Sequence, residues 1–119
     1  MTDERDLMRE AIRLIEDRKG EDIVLIDLSD VSIPTSYFVV VGADNPVHAK
    51  ALINALRTGL PTKPMRSEGL SERKWVVLDY GDIVIHVLEK DAREFYDIES
   101  LWADRLVDVH SVLSEAARP

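Results

Sequence analysis

A chain of 119 residues, 45% apolar and 32% charged, has the profile of one soluble globular domain and not of a disordered segment. With no cysteine it excludes disulfides, thiolate chemistry and every Cys-ligated zinc site. The 15 Lys and Arg against 23 Asp and Glu give a net charge of -8, which leaves little material for a basic nucleic-acid face and suits a basic partner.

The opening MTDERDLMREAIRL is acidic and carries no apolar core behind a basic patch, so it reads as neither a secretory signal nor a transit peptide. No apolar run approaches the ~20 residues that cross a bilayer, and the expected location is cytoplasmic. From Asp3 to Lys19, Leu7, Ala11, Leu14 and Ile15 recur at helical spacing, with Asp3 as a cap and Gly20 as a stop. Asp22 to Leu28 is a β-branched run that reads as a strand. Ser29 to Ser36, holding Pro34, reads as a loop. Tyr37 to Gly42 is apolar at every position before its glycine, the pattern of a strand covered on both faces.

Asn45 and Pro46 open a second helix as cap and first residue, with His48, Leu52, Ala55 and Leu56 as its stripe and Gly59 as its end. A short edge strand is expected from Met65 to Glu68, limited by Pro64. Trp75 to Leu78 and Asp82 to Leu88 are too close for anything but an antiparallel hairpin. A two-residue I′ turn would force Tyr80 to positive φ, so a three-residue loop with Gly81 in the left-handed position is favoured. That register puts Trp75 and Val77 on one face with Ile83, Ile85 and Val87, and Val76, Leu78, Val84, His86 and Leu88 on the other. Neither face is polar, so one must be covered by helices and the other by the C-terminal segment, a second copy or a partner. A final helix capped by Asp97 is expected to carry Ile98, Leu101, Trp102, Leu106, Val109 and Leu113, with Tyr96 or Trp102 near the surface. The sum is an α/β fold built on a single mixed β-sheet flanked by helices, one domain over 1–119 with a core of 3–103 and a tail of 104–119.

Catalytic patterns are scarce. Asp79, Asp82 and His86 form the one cluster that could hold a metal or move a proton, but Asp is common at turns and a strand histidine is more often packed than ligating. His48 and His110 have no acidic partner at triad spacing, and no Gly-x-Ser-x-Gly elbow exists. Gly42-Ala43-Asp44 lacks the glycine repeat and lysine of a phosphate loop. No cofactor or metal is expected.

The stretch Trp75-Val76-Val77-Leu78-Asp79-Tyr80-Gly81-Asp82-Ile83-Val84-Ile85-His86-Val87, followed by Phe95-Tyr96-Asp97-Ile98-Glu99-Ser100-Leu101-Trp102, resembles the ribosomal silencing factor family (RsfS, also called Iojap-like). Asp27-Leu28, Thr35 to Val40 and Glu68-Gly69 fit it as well, while Asp44 to His48 departs from the small polar residue and glutamine usual there. The resemblance implies a nucleotidyltransferase-like fold without the catalytic motif and no enzymatic activity. It implies binding to the large ribosomal subunit through its basic protein L-fourteen, steric blocking of the small subunit when nutrients are scarce, and a homodimer when free. By motif position, Trp75, Tyr80, His86, Tyr96, Leu101 and Trp102 are the candidate contacts, and Asp79 and Asp82 could meet Arg or Lys on the partner. Two alternatives stand beside this: a metal-dependent nucleotidyltransferase or phosphohydrolase using Asp79, Asp82 and His86, and a pure dimerisation module.

Overall fold

The computed structural model describes residues 4–116. Helix α1 (Glu4–Asp17) leads into strands β1 (Glu21–Asp27) and β2 (Tyr37–Ala43), then α2 (Pro46–Gly59), β3 (Arg66–Glu68), β4 (Trp75–Asp79) and β5 (Ile83–Glu89). Two short helices follow, α3 (Lys90–Tyr96) and α4 (Ile98–Leu101), then a 3₁₀ turn Ala103–Arg105, β6 (Leu106–Val107) and α5 (Val109–Ala116). The strands form a single mixed sheet in the order β3-β4-β5-β2-β1-β6. Only β2 and β5 pair in parallel. These two are the central strands, and their uninterrupted apolar runs follow from burial on both faces.

One face is sealed by α1 and α2. Met8, Ile12, Ile15, Leu52 and Leu56 pack on Val39, Val41, Val76, Leu78, Ile85 and Val87. Asn45 caps α2 by accepting the His48 N–H at 2.8 Å, and Pro46 takes the first turn, where its missing N–H costs nothing. His48 does not join the buried stripe, which Ala49, Leu52, Ile53 and Leu56 make up. Instead its Nδ1 accepts the Asp44 N–H at 3.0 Å and its Nε2–H donates to the Arg18 carbonyl at 2.8 Å, tying the start of α2 to the end of α1. The Asp3 cap lies outside the described residues.

The opposite face holds a smaller core of Ile26, Leu28, Val40, Leu88 and Ile98, with Phe38, Trp75 and Trp102 half-buried against it. Here the hairpin departs from the expected register. Trp75 pairs with Leu88, Val77 with His86 and Asp79 with Val84, and the Tyr80 N–H donates to the Ile83 carbonyl at 2.8 Å. The loop is therefore the two residues Gly81 and Asp82, not three. Gly81 at φ +90° occupies the first turn position, as in a II′ turn, and the Asp79 carboxylate braces it by accepting the Gly81 N–H at 2.8 Å. Trp75 and Val77 consequently share a face with Val84, His86 and Leu88, away from Ile83 and Ile85.

The single C-terminal helix is also corrected. Asp97 sits at φ +45° between α3 and α4, and its carboxylate takes the Ser100 hydroxyl without capping a backbone N–H. Leu106 and Val107 are drawn out as a strand on Ile26 and Leu25, giving partners to an edge of β1 that would otherwise stand open. Val112 of α5 is fully buried in the main core, so the residues beyond 103 contribute to it.

At the end of α1, Lys19 takes the left-handed conformation and Gly20 is needed for closeness. A Cβ there would stand 2.3 Å from Ile15 Cγ2 and 2.6 Å from Val41 Cγ2, both in the core. Gly20→Ala is expected to destabilise the fold by about 1–3 kcal/mol through overpacking. Urea unfolding reads this directly, and an unchanged midpoint would refute the close-packing argument.

Candidate partner-binding surface

The second sheet face carries a row of rings that runs from the interior to solvent. Phe38 on β2 meets the His86 ring at 4.6 Å, edge to face. The Trp75 Nε1–H donates to His86 Nδ1 at 3.1 Å across the β4–β5 ladder. Tyr96 lies on Trp75 at 4.6 Å, and Phe95 stands perpendicular to Tyr96 at 5.0 Å. The row exists because α3 follows β5 without a loop. The Glu89 N–H bonds to the Lys74 carbonyl at 2.8 Å, so the helix starts beside Trp75 and lays its end over the indole.

Arg93 holds the ring-bearing segment in place. Its Nε–H donates to Glu99 at 2.9 Å, and its Nη1 and Nη2 donate to the carbonyls of Glu21 at 3.0 Å and Asp22 at 2.5 Å. The guanidinium thus joins α3, α4 and the start of β1, a fork geometry that lysine could not reproduce.

Outward from this row, Phe95 is 80% exposed, Leu101 75% and Tyr96 51%. Trp102 is half-buried on Ile98 and the second core. Two adjacent rings on a seven-residue helix cannot both face the sheet, and Phe95 is the one turned out. Sequence reasoning passed over it, although the Phe95-Tyr96 pair on one short helix was itself the signal. Between α3 and the β3–β4 loop lies a cleft of about 540 Å³ whose walls include Trp75, Phe95 and Tyr96 and whose lining includes Glu72, Glu89 and Asp91.

Of the residues singled out from sequence, Trp75, His86 and Tyr96 come together in the row, and Leu101 and Trp102 extend the surface along α4. Asp82 is exposed in the turn, and Asp79 is half-buried bracing Gly81. Tyr80 goes elsewhere. Its ring packs in the helix-covered core, its hydroxyl has no hydrogen-bond partner, and burial raises its pKa. A partner docking on the exposed rings does not reach it. Asp79, Asp82 and His86 do not assemble a metal centre, and among the described residues no three His, Asp or Glu side chains converge to hold one. Nor, among those residues, is any helix long and apolar enough to cross a membrane.

The family model described as "Ribosomal silencing factor during starvation" matches residues 1–119. The chain belongs to the ribosomal silencing factor family. The RsfS protein of Bacillus subtilis is 30% identical over 106 residues, covering 85% of this chain and 88% of that protein. RsfS of Chromobacterium violaceum is 35% identical over 101 residues, covering 82% and 83%. A mouse relative named "Mitochondrial assembly of ribosomal large subunit protein 1" is 28% identical over 103 residues, 82% of this chain but 45% of the mouse protein. A crystal structure of a Chromobacterium violaceum protein superposes with a TM-score of 0.82 at 33% identity, covering 86% of this chain and 88% of that one. The α/β architecture of this family member is therefore shared with a solved structure.

Burial lowers the His86 pKa from 6.5 to about 4, because a charged imidazole would lose its hydration. Protonation would also turn Nδ1 into a donor facing the Trp75 N–H. The unfolded chain takes up the proton first as pH falls, so His86 lends its full stability above about pH 6.5 and loses it progressively down to about pH 4. Between pH 7 and pH 5 the wild type should lose about 2 kcal/mol that a folded His86→Gln variant does not lose. Urea titrations at the two pH values compare them, and equal losses would contradict the assignment.

Proposed function

We propose that this chain represses translation by docking on the large ribosomal subunit through ribosomal protein L-fourteen and sterically excluding the small subunit, for example under nutrient limitation. Membership in the silencing factor family supports the ribosomal setting, and so does the printed name of the mouse relative. The observation that carries the docking reading is the exposed pair Phe95 and Tyr96 on the mainly acidic Trp75 cleft, with Leu101 exposed on the following helix.

Such a surface fits a basic protein. Rings give a rigid apolar anchor, and a guanidinium or ammonium entering the cleft finds the rings of Trp75, Phe95 and Tyr96 together with Glu72, Glu89 and Asp91, three carboxylates against the single cation Lys74. Asp79 and Asp82 add carboxylates at the far end of the hairpin. Trp75, Tyr96, Leu101 and Trp102 remain the proposed contacts, joined by Phe95. His86 acts behind them by fixing the indole, and Tyr80 supports the hairpin from within the core. Occlusion of this kind needs no covalent step, no cofactor and no metal, so the proposed role is non-enzymatic and cytoplasmic. A free chain would cover the same apolar surface with a second copy, and the partner would then compete with self-association.

Phe95→Ala removes an exposed ring and should leave the fold intact. Its affinity for purified large subunits is expected to fall roughly 30-fold, the loss of about 2 kcal/mol typical of an interface anchor. Tyr80→Phe, confined to the core, should bind like the wild type. Co-sedimentation titrations measure both. Undiminished binding by Phe95→Ala and by Trp102→Ala would remove this surface from the interface.

A further inference from the structure

The chain's charge is divided unevenly, and the division makes a second surface. The 23 consecutive residues from Asn45 to Ser67 contain no Asp or Glu, yet they hold Lys50, Arg57, Lys63 and Arg66. Everything else carries 11 Lys and Arg against 23 acids, a net of -12. All four cations are exposed, and among the described residues none forms an ion pair. Lys50, Asn54 and Arg57 recur at spacings of four and three along α2, which puts them on one side of the helix. Lys63 reaches the same place from the loop that follows. Arg57 and Lys63, with Asn54 and Ser67, line a cavity of about 330 Å³ that no carboxylate enters. Asp79 lies across the ladder from Arg66 and Glu68 follows Ser67, but neither lines that cavity; Asp6 and Glu10 of α1 border a separate hollow beside Gly59 and Pro61.

We propose that this face binds the phosphate backbone of RNA. Lys, Arg, Asn and Ser side chains are the donors that contact phosphate oxygens, and such contacts need no base recognition. The segment contains no aromatic residue, so it lacks the ring anchors that dominate protein interfaces and that the opposite sheet face displays. Arg57 also faces the negative end of the α2 dipole, but Lys50 and Lys63 have no such role. The basic cavity and the ring cleft flank the short edge strand β3, Ser67 lining one and Gly69 the other. One chain standing on that edge could therefore touch a ribosomal protein on one side and RNA on the other. The placement on the ribosome rests on the docking reading given above.

The test compares the wild type with the triple variant Lys50→Gln/Arg57→Gln/Lys63→Gln, in binding to purified large subunits over a salt series and in binding to isolated L-fourteen. The variant should bind large subunits at least 10-fold more weakly at low salt, because each cation that releases counterions steepens the salt dependence. Its plot of log affinity against log salt should be flatter by about 2 to 3. Binding to isolated L-fourteen should be unchanged or slightly tighter. Equal affinity and equal slope on the subunit would overturn the RNA contact while leaving the docking reading intact. A wild type that binds the subunit with a steep slope the variant lacks, yet ignores L-fourteen, would uphold the RNA contact and remove that reading. A wild type that binds neither would remove both. A photocrosslinker at position 63 should label ribosomal RNA; label on a ribosomal protein alone would also overturn the proposal.

Discussion

The hydrogen bond from the Trp75 indole N–H to His86 Nδ1 anchors the row of rings on the second sheet face. It spans neighbouring strands at 3.1 Å and orients the indole against which Tyr96 packs at 4.6 Å. Because the acceptor must be a neutral imidazole, the bond depends on burial keeping His86 unprotonated. It depends equally on register. The two-residue turn at Gly81 and Asp82 puts Trp75 and His86 on the same face, and a slip of one residue would place them on opposite sides of the sheet. A small backbone choice thus decides whether the rings form a surface at all.

Tyr96 packs α3 on that indole, and Arg93, whose guanidinium reaches two β1 carbonyls and Glu99, ties α3 and α4 to the sheet. The exposed rings therefore stand on a braced support and not on a free loop. A preorganised surface of this kind loses less conformational entropy when a partner docks, which suits a protein whose proposed action is occupation. The apolar surface and the basic face beside α2 divide the chain into two chemically distinct sides, although its net charge is acidic.

Much of this was legible in the residues. Continuous apolar runs marked β2 and β5 as central strands, and Asn45-Pro46 marked the start of α2 because a cap and a proline act locally. What failed was decided by tertiary geometry. The hairpin register turned on which turn position Gly81 would take: the turns weighed from sequence were an I′ turn over Tyr80-Gly81 and a three-residue loop. Gly81 instead opens a two-residue turn with Asp82, braced by Asp79, that spares Tyr80 any positive φ. Ile98, Leu101, Trp102, Leu106 and Val109 fit a helical period, yet Leu106 and Val107 were claimed by the open edge of β1, a demand that no local pattern carries. Tyr80 illustrates the limit for the site. Its place in the family motif suggested a contact, whereas its register position puts the ring in the core. Whole-chain charge likewise hid the acid-free stretch from Asn45 to Ser67.

In the proposed mode of action, a chain seated by its rings on the large subunit leaves no room for the small one. Reassociation of purified subunits, followed by light scattering as increasing amounts of this protein are added, measures that most directly. A dose-dependent fall in joined particles, with the protein sedimenting only with free large subunits, is the expected result. Complete joining with the protein still bound to the large subunit would contradict it.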